Sequence, residues 1–153
     1  MDKKKIIYLL MAIAWIGFIF GNSLMNGTTS GSISGGITEA IYNILVKVQI
    51  NIRIEVLHTI IRKLAHFSEY FILGIIMVLN VYQYLKEPKY FVSFSIGLCL
   101  LISITDETIQ TFVDGRSGNI IDVGIDSSGF LLSILIMTII IININNKKEQ
   151  TIS

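Results

Sequence analysis

Charge, cysteine and proline are all scarce in this sequence, and each scarcity excludes a class of protein. Charged residues make up 15% of the 153 residues, whereas soluble domains carry about 25%, so the chain cannot cover a water-facing surface. Its one cysteine, Cys99, excludes an internal disulfide and lies inside an apolar run, where a small buried residue is expected. Its one proline, Pro88, lies in the short polar turn 86–89, which separates two apolar runs.

Two kinds of ligand are also excluded by what the chain lacks. The chain has 12 basic and 11 acidic side chains, and without a basic stripe no nucleic-acid partner is expected. The glycine-rich stretch 31–36 lacks the lysine and the flanking strand of a phosphate-binding loop, so nucleotide binding is not expected either. The remaining composition is 52% hydrophobic, which predicts a single membrane domain over residues 1–153 with the lipid bilayer as its partner.

Four apolar runs are the most prominent feature of the chain. A transmembrane helix needs about 20 apolar residues, and the predicted spans cover about residues 6–21, 64–85, 90–112 and 120–142. The first run is short and follows a basic cluster, as in a signal peptide, but no Ala-x-Ala-like cleavage site comes after it, so an uncleaved helix is expected. The predicted fold class is therefore all-α integral membrane, with a four-helix transmembrane bundle.

The first loop is the longest segment between spans and has two parts. Residues 27–36 are small and polar, which predicts a flexible loop. Residues 37–61 carry apolar side chains at intervals of three and four, including Ile37, Ile41 and Ile44, which is typical of an amphipathic helix. We therefore expect an additional amphipathic helix in the first extracytoplasmic loop, lying on the outer leaflet or capping the bundle. Two short helices packed on the spans fit the same pattern.

The distribution of basic residues predicts the orientation of the chain in the membrane. With the amino terminus in the cytoplasm, seven basic residues lie inside and five outside, in the direction of the positive-inside rule. If three of the five, Arg62, Lys63 and Arg116, belong to a functional site, their position is set by its chemistry and does not report insertion, and without them the bias is seven to two. The prediction is a multi-pass protein with both termini in the cytoplasm.

Polar and charged side chains concentrate at one end of the predicted spans. A charged side chain inside hydrocarbon has a high free energy unless it is paired with an opposite charge or hydrated. Such residues are therefore by default candidates for a functional site. With a rise of about 1.5 Å per residue, most of them lie within roughly 10 Å of the outer boundary of the bilayer. Helical spacing places Arg62, His66 and Glu69 on one face of the second span. The complete group is Arg62, Lys63, His66, Glu69, Tyr70, Asp106, Glu107, Gln110, Arg116, Asp122 and Asp126.

These residue types support catalysis, ligand binding or a purely structural role. The predicted catalytic residues are Glu69, Asp106 or Glu107 as general acid or base, with His66 as partner. The predicted ligand-binding residues hold an anionic or polar ligand; they are Arg62, Lys63, Tyr70, Gln110, Arg116, Asp122 and Asp126. A histidine among carboxylates is able to bind a divalent metal, but the spacing matches no closed metal signature, so no metal ligand is predicted and the cofactor is left open. In the structural alternative, acids and bases pair only to orient the helices.

Two of these segments resemble the signatures of a known family. Residues 62–70, Arg-Lys-Leu-Ala-His-Phe-Ser-Glu-Tyr, are similar to the first signature of the VanZ-like membrane proteins. Residues 106–112, Asp-Glu-Thr-Ile-Gln-Thr-Phe, are similar to the second, with Arg116 and Asp122 following at the spacing of the family.

The resemblance covers about residues 6–142, but the serine-containing segment after the family's first helix matches less well, since only Ser23 remains of its usual serine pair and glutamine. It implies a bacterial multi-pass protein of the cell membrane, whose founding relative is linked to low-level resistance to the glycopeptide teicoplanin, but no settled reaction. In one hypothesis, an outer-face polar pocket engages an envelope component or the glycopeptide and alters susceptibility. In the other, an intramembrane enzyme acts on a lipid-linked envelope precursor, with Arg62 and Arg116 holding its anionic groups. The oligomeric state is not predicted.

Overall fold

The chain is helical almost throughout. The computed structural model describes residues 2–152, apart from the side chains at positions 33, 149, 151 and 152. Within residues 2–152 there is no β-strand, which confirms the predicted all-α fold class. The helices are α1 (Lys3–Ser23), α2 (Gly27–Lys47), α3 (Ile54–Val81), α4 (Pro88–Thr111) and α5 (Ile120–Ile152).

Four helices are long and apolar enough to cross a membrane, namely α1, α3, α4 and the part of α5 that covers Ile120–Lys148. Many of their large apolar side chains point outward, and Leu10, Leu101 and Leu135 are each more than half exposed. Water-soluble monomers rarely expose large contiguous apolar patches, whereas lipid chains cover such a surface readily. The protein is a multi-pass membrane protein, and the predicted four-span bundle is confirmed.

Helix α3 is the centre of the bundle, because it contacts each of the other four helices. Its most extensive contact is with α5, where small residues allow two backbones to approach closely. A Cβ placed on Gly129 would lie 2.4 Å from the carbonyl oxygen of Phe67, and one on Gly74 would lie 2.9 Å from that of Phe130. Glycine is therefore required at both positions for the observed packing of α3 on α5.

The two ends of the bundle differ in charge. At one end, which we call the lysine end, the Lys5 ammonium lies 4.8 Å from the ring centroid of Tyr84. Asn145 donates a hydrogen bond to the Tyr82 hydroxyl at 3.1 Å, so the start of α1, the end of α3 and the last turns of α5 share this end. At the other end, which we call the polar end, α1 finishes and the 112–119 loop joins α4 to α5.

The small polar stretch 27–36 is helical, in contrast to the predicted flexible loop, and forms the first half of α2. Asn26 caps this helix, and its side-chain oxygen accepts a hydrogen bond from the Thr29 backbone N–H at 2.9 Å. Packing against α3 also holds it, since the Ser34 hydroxyl lies 2.8 Å from His58 Nε2. Composition predicts a loop here because it reports neither the cap nor the contact with α3.

The additional helix of the first loop is present, but its bounds differ from the predicted 37–61. Helix α2 ends and α3 begins inside this segment, so its last third is the start of the second span. At the break, Gln49 has a positive φ of 60°, and the Ile50 N–H donates to the Leu45 carbonyl at 2.9 Å, which closes the helix end. Glycine is the usual residue at such a left-handed position, so the glutamine gives no sequence signal of the break.

The apolar stripe of α2 faces away from the bundle. Ile37, Ile41 and Ile44 are all exposed, while Thr38 is buried. This arrangement is typical of a helix whose apolar side contacts lipid at the membrane interface.

Candidate functional site

A group of four buried titratable side chains lies at the polar end of the bundle. His66 comes from α3, Asp106 and Glu107 come from α4, and Asp126 comes from α5. One potential ligand atom from each residue lies within 4.8 Å of the corresponding atoms of the others. Asp106 is 1% exposed and Asp126 is 0% exposed. We call these residues the four-residue cluster, and it exists only because three helices meet at this point.

Two serine hydroxyls orient the aspartates of the four-residue cluster. Ser103, one turn before Asp106 on α4, donates a hydrogen bond to Asp126 Oδ2 at 2.7 Å. Ser23, the last residue of α1, donates to Asp106 Oδ1. The first bond joins α4 to α5 and the second joins α1 to α4, so each carboxylate is held by a helix other than its own.

Glu107 is fixed by the loop and by its own helix. The Asn119 backbone N–H donates to Glu107 Oε2 at 2.8 Å, and the Gln110 amide lies 3.4 Å from Oε1. The same amide donates to Asp106 Oδ2 at 3.3 Å. The loop can approach because Gly118 has no side chain, since a Cβ there would lie 2.2 Å from the Glu107 carbonyl oxygen.

Some polar atoms in this region have no hydrogen bond. His66 Nδ1 lies 3.4 Å from Asp126 Oδ1, and neither atom has a hydrogen-bond partner among the residues that the structure describes. Within the same range, the buried Tyr70 hydroxyl lies beside Asp106 and Ser103 without a hydrogen bond of normal geometry. Buried polar atoms are nearly always paired in folded proteins, so this group is not satisfied by its own contacts.

Glu69 lies next to the four-residue cluster and is held by α1. The Asn22 amide donates to Glu69 Oε1 at 2.8 Å, and the Trp15 indole N–H donates to the Glu69 backbone oxygen at 3.0 Å. Glu69 is only partly buried. Its carboxylate therefore has a neutral donor on one side and remains open to the neighbouring cavity.

A cavity of about 180 Å³ lies beside the four-residue cluster. Its wall is formed by residues of α1, α2, α3, α4 and the 112–119 loop, so α2 closes one side of it. Its charged or titratable lining residues are Arg62, His66, Glu69, Asp106 and Arg116. Since ligand pockets commonly measure about 300–1,000 Å³, this one has room for a small polar group rather than for a large molecule.

Lys63 and Asp122 form an ion pair at the edge of this region. Lys63 Nζ lies 2.9 Å from Asp122 Oδ1, and Arg62 Nη2 lies 3.7 Å from Asp122 Oδ2. Asp122 is nearly buried, whereas half of the Arg62 side chain is exposed. The pair links α3 to α5, and the Arg62 guanidinium keeps the freedom to turn toward the cavity that it lines.

Arg116 reaches the cavity from the 112–119 loop. Its Nη1 donates to the Asn22 backbone oxygen, and Gly115, with a φ of 74°, makes the turn that precedes it. Burial lowers the pKa of the Arg116 guanidinium, and the Asp106 carboxylate opposes this shift. Arginine stays protonated under such conditions, so Arg116 brings a fixed positive charge to the cavity wall.

The predicted site residues fall into distinct positions in the structure. Six of them line the cavity, namely Arg62, His66, Glu69, Asp106, Gln110 and Arg116. Glu107 and Asp126 complete the four-residue cluster but do not line the cavity, and Tyr70 is fully buried beside it. Lys63 and Asp122 pair with each other.

The sequence interpretation missed four residues that contact the acids: Asn22, Ser23, Ser103 and Asn119. Ser103 could have been predicted from the sequence, since it lies three residues before Asp106 and therefore on the same helix face. Ser23 was marked only by its match to the serine segment of the VanZ-like proteins. The contacts of Asn22 and Asn119 depend on how α1 and the loop pack, which no local pattern reports.

Among curated proteins and among solved structures, none matches this chain. A family model does match, and it is described as VanZ/LLP1. The match runs over residues 7–142, so it covers two of the membrane helices entirely and most of the first and last, together with both signature segments and every member of the four-residue cluster. By this match, the chain belongs to the VanZ/LLP1 family.

Proposed function

We propose that this protein binds the anionic headgroup of a lipid-linked envelope component in its polar-end cavity, and that it thereby alters susceptibility to glycopeptide antibiotics such as teicoplanin. The observation that carries the proposal is the pair of guanidinium groups, Arg62 and Arg116, on the wall of a cavity at the polar end of the bundle. Guanidinium groups bind phosphate and carboxylate groups through paired N–H donors.

The size of the cavity favours an envelope component over the antibiotic itself. A volume of about 180 Å³ accepts a phosphate-sized headgroup and is far too small for a glycopeptide. The lipid tail of such a component would stay in the bilayer beside the bundle, and α2, with its exposed apolar stripe, lies at the edge of the same cavity. An effect on susceptibility is then indirect, through the envelope component that the protein retains.

The orientation that fits this function places the polar end on the outer side of the cell membrane. Lys5, Lys86 and Lys89 lie over aromatic rings near the lysine end, and basic residues favour the cytoplasmic side. Both termini would then lie in the cytoplasm of a bacterial cell, and the cavity would face the layer where envelope precursors are used.

Substitution of the two arginines tests the proposal. We expect Arg116→Gln and Arg62→Gln to reduce retention of polyprenyl phosphate by the purified protein, measured by native mass spectrometry, and to abolish its effect on teicoplanin susceptibility. Arg53→Gln is the matched control, because Arg53 is exposed and does not line this cavity. Equal retention in all three variants would refute the proposal.

Intramembrane catalysis on a lipid-linked envelope precursor is the second candidate function. It is supported by Glu69, whose carboxylate accepts a hydrogen bond from Asn22 and faces a cavity that also contains His66 and Asp106. A carboxyl group so placed can act as general acid or base. Under this proposal Glu69→Gln keeps ligand retention and membrane abundance but abolishes product formation, whereas retention without turnover by the parent protein supports binding alone.

A further inference from the structure

The four-residue cluster has the composition and compactness of a metal site. Its potential ligand atoms, one from each of His66, Asp106, Glu107 and Asp126, lie within 4.8 Å of one another. Ligands that bind a divalent ion at about 2.0–2.2 Å lie up to about 4.4 Å apart across the ion. The largest separation in the cluster is only slightly above this span, so the four side chains are close enough together to surround one ion.

Unpartnered atoms in the cluster point to a missing ligand. The Asp126 side chain is fully buried, and its Oδ1 has no hydrogen bond from any residue that the structure describes. The same holds for His66 Nδ1, on a residue that is only 9% exposed. The two atoms lie 3.4 Å apart, and with a neutral imidazole each offers a lone pair to a bound cation.

The negative charge of the cluster also favours binding of a cation. Three buried carboxylates lie close together inside the bundle, where an unpaired charge is expensive. Lys63 and Arg62 contact Asp122 instead, and Arg116 donates a hydrogen bond to the Asn22 backbone oxygen. A divalent ion would offset most of this negative charge, as bound cations do in other carboxylate sites.

Hydrogen-bond donors around the cluster hold its carboxylates in place, as the residues behind metal ligands do. Ser103 holds Asp126 Oδ2 and leaves Oδ1 free, and the Asn119 N–H holds Glu107 Oε2. Hydrogen bonds of this kind orient metal ligands and tune their basicity. Asp126 Oδ1 is thus available toward the centre, and Glu107 Oε1 has only the long 3.4 Å contact with the Gln110 amide.

We propose that His66, Asp106, Glu107 and Asp126 bind a divalent cation of the Mn²⁺ or Zn²⁺ type in the wall of the cavity. One imidazole with several carboxylates suits these ions, since imidazole favours zinc and carboxylates favour manganese. His66 and Asp106 line the cavity, so the ion lies where a ligand oxygen or a water molecule can complete its coordination. This proposal rests on the cluster alone and holds whatever the cavity binds.

The test uses the full-length protein in detergent, stripped with a chelator and titrated with Mn²⁺ or Zn²⁺ in the absence of any lipid ligand. We expect one ion per chain by calorimetry and by elemental analysis. Asp126→Asn and Glu107→Gln should each weaken binding by at least about ten-fold, the size of effect seen when contacts around metal sites are removed. Asp122→Asn is the matched control, because Asp122 is a buried acid nearby that pairs with Lys63, and it should keep the affinity of the parent protein.

A spectroscopic measurement on the parent protein tests the proposal even if the variants fail to fold. Electron spin-echo modulation of the Mn²⁺-loaded protein should show coupling to a histidine nitrogen. Absence of stoichiometric binding by the parent protein, absence of the nitrogen coupling, or an equal loss of affinity in Asp122→Asn and Asp126→Asn would each overturn the proposal. Because no lipid is present, these outcomes are independent of the retention experiment that tests the proposed function.

Discussion

His66 Nδ1 and Asp126 Oδ1 lie 3.4 Å apart across the interface between α3 and α5. Both residues are buried, and the contact is possible only because the two helix backbones approach closely at Gly74 and Gly129. The geometry of the polar site is therefore set by helix packing about one to two turns deeper in the bundle. Substitutions at this packing surface should disturb the site without touching any polar residue.

Replacement of Gly129 by alanine tests this dependence. The new Cβ would lie 2.4 Å from the Phe67 carbonyl oxygen, so α3 and α5 must separate. We expect Gly129→Ala to lower the stability by about 1–3 kcal/mol, as overpacked substitutions do, measured by thermal unfolding in detergent. Gly97→Ala is the control, since a Cβ at Gly97 meets nothing within 4 Å. If both variants unfold at the same temperature as the parent protein, the close approach is not required.

Removal of Lys63 should be harmful because it leaves Asp122 buried without its nearest cation. Loss of one partner from a fully buried ion pair costs about 3–5 kcal/mol; Lys63 is 35% exposed and Arg62 remains nearby, so a smaller loss is expected for Lys63→Met. Adding Asp122→Asn should restore much of the lost stability. Thermal unfolding of the two single variants and the double variant measures this coupling, and purely additive effects would contradict it.

We expect substitution of Ser23 to lower stability and function more than substitution of an exposed serine on one of the helices. It donates to Asp106 Oδ1 from another helix, and loss of a hydrogen bond to a buried charged group typically costs about 1–3 kcal/mol. We expect Ser23→Ala to lower the unfolding temperature and to weaken the effect on teicoplanin susceptibility. Ser68→Ala is the control, because Ser68 is exposed and bonds only to a carbonyl of its own helix. Identical behaviour of the two variants would show that the Ser23 contact has no role.

The orientation of the bundle is tested by labelling cysteines with a membrane-impermeant maleimide. The buried Cys99 is first replaced by alanine, and single cysteines are introduced as Ser117→Cys at the polar end and Lys86→Cys at the lysine end. We expect position 117 to be labelled in intact cells and position 86 to be labelled only after permeabilisation. The reverse pattern would place the cavity on the cytoplasmic side and would contradict the proposed function.

The membrane architecture was predictable because each span is a continuous apolar run that needs no partner to be recognised. The polar end was predictable for the same reason, since residues such as His66 and Asp106 lie near one end of their runs. The bounds of α2 were not predictable, because its break relies on Gln49 in a conformation that glycine normally adopts. The pairing of Lys63 with Asp122 required the packing of α3 on α5, which sequence spacing does not specify.

The most direct test of the account is a paired measurement on His66→Gln, Asp106→Asn, Glu107→Gln and Asp126→Asn. For each variant, membrane abundance is measured by immunoblot and teicoplanin susceptibility is measured in the same cells. The account predicts near-normal abundance with loss of the effect on susceptibility in all four. Abundance that falls in step with the effect in every variant would contradict it, because the four residues would then only hold the helices together.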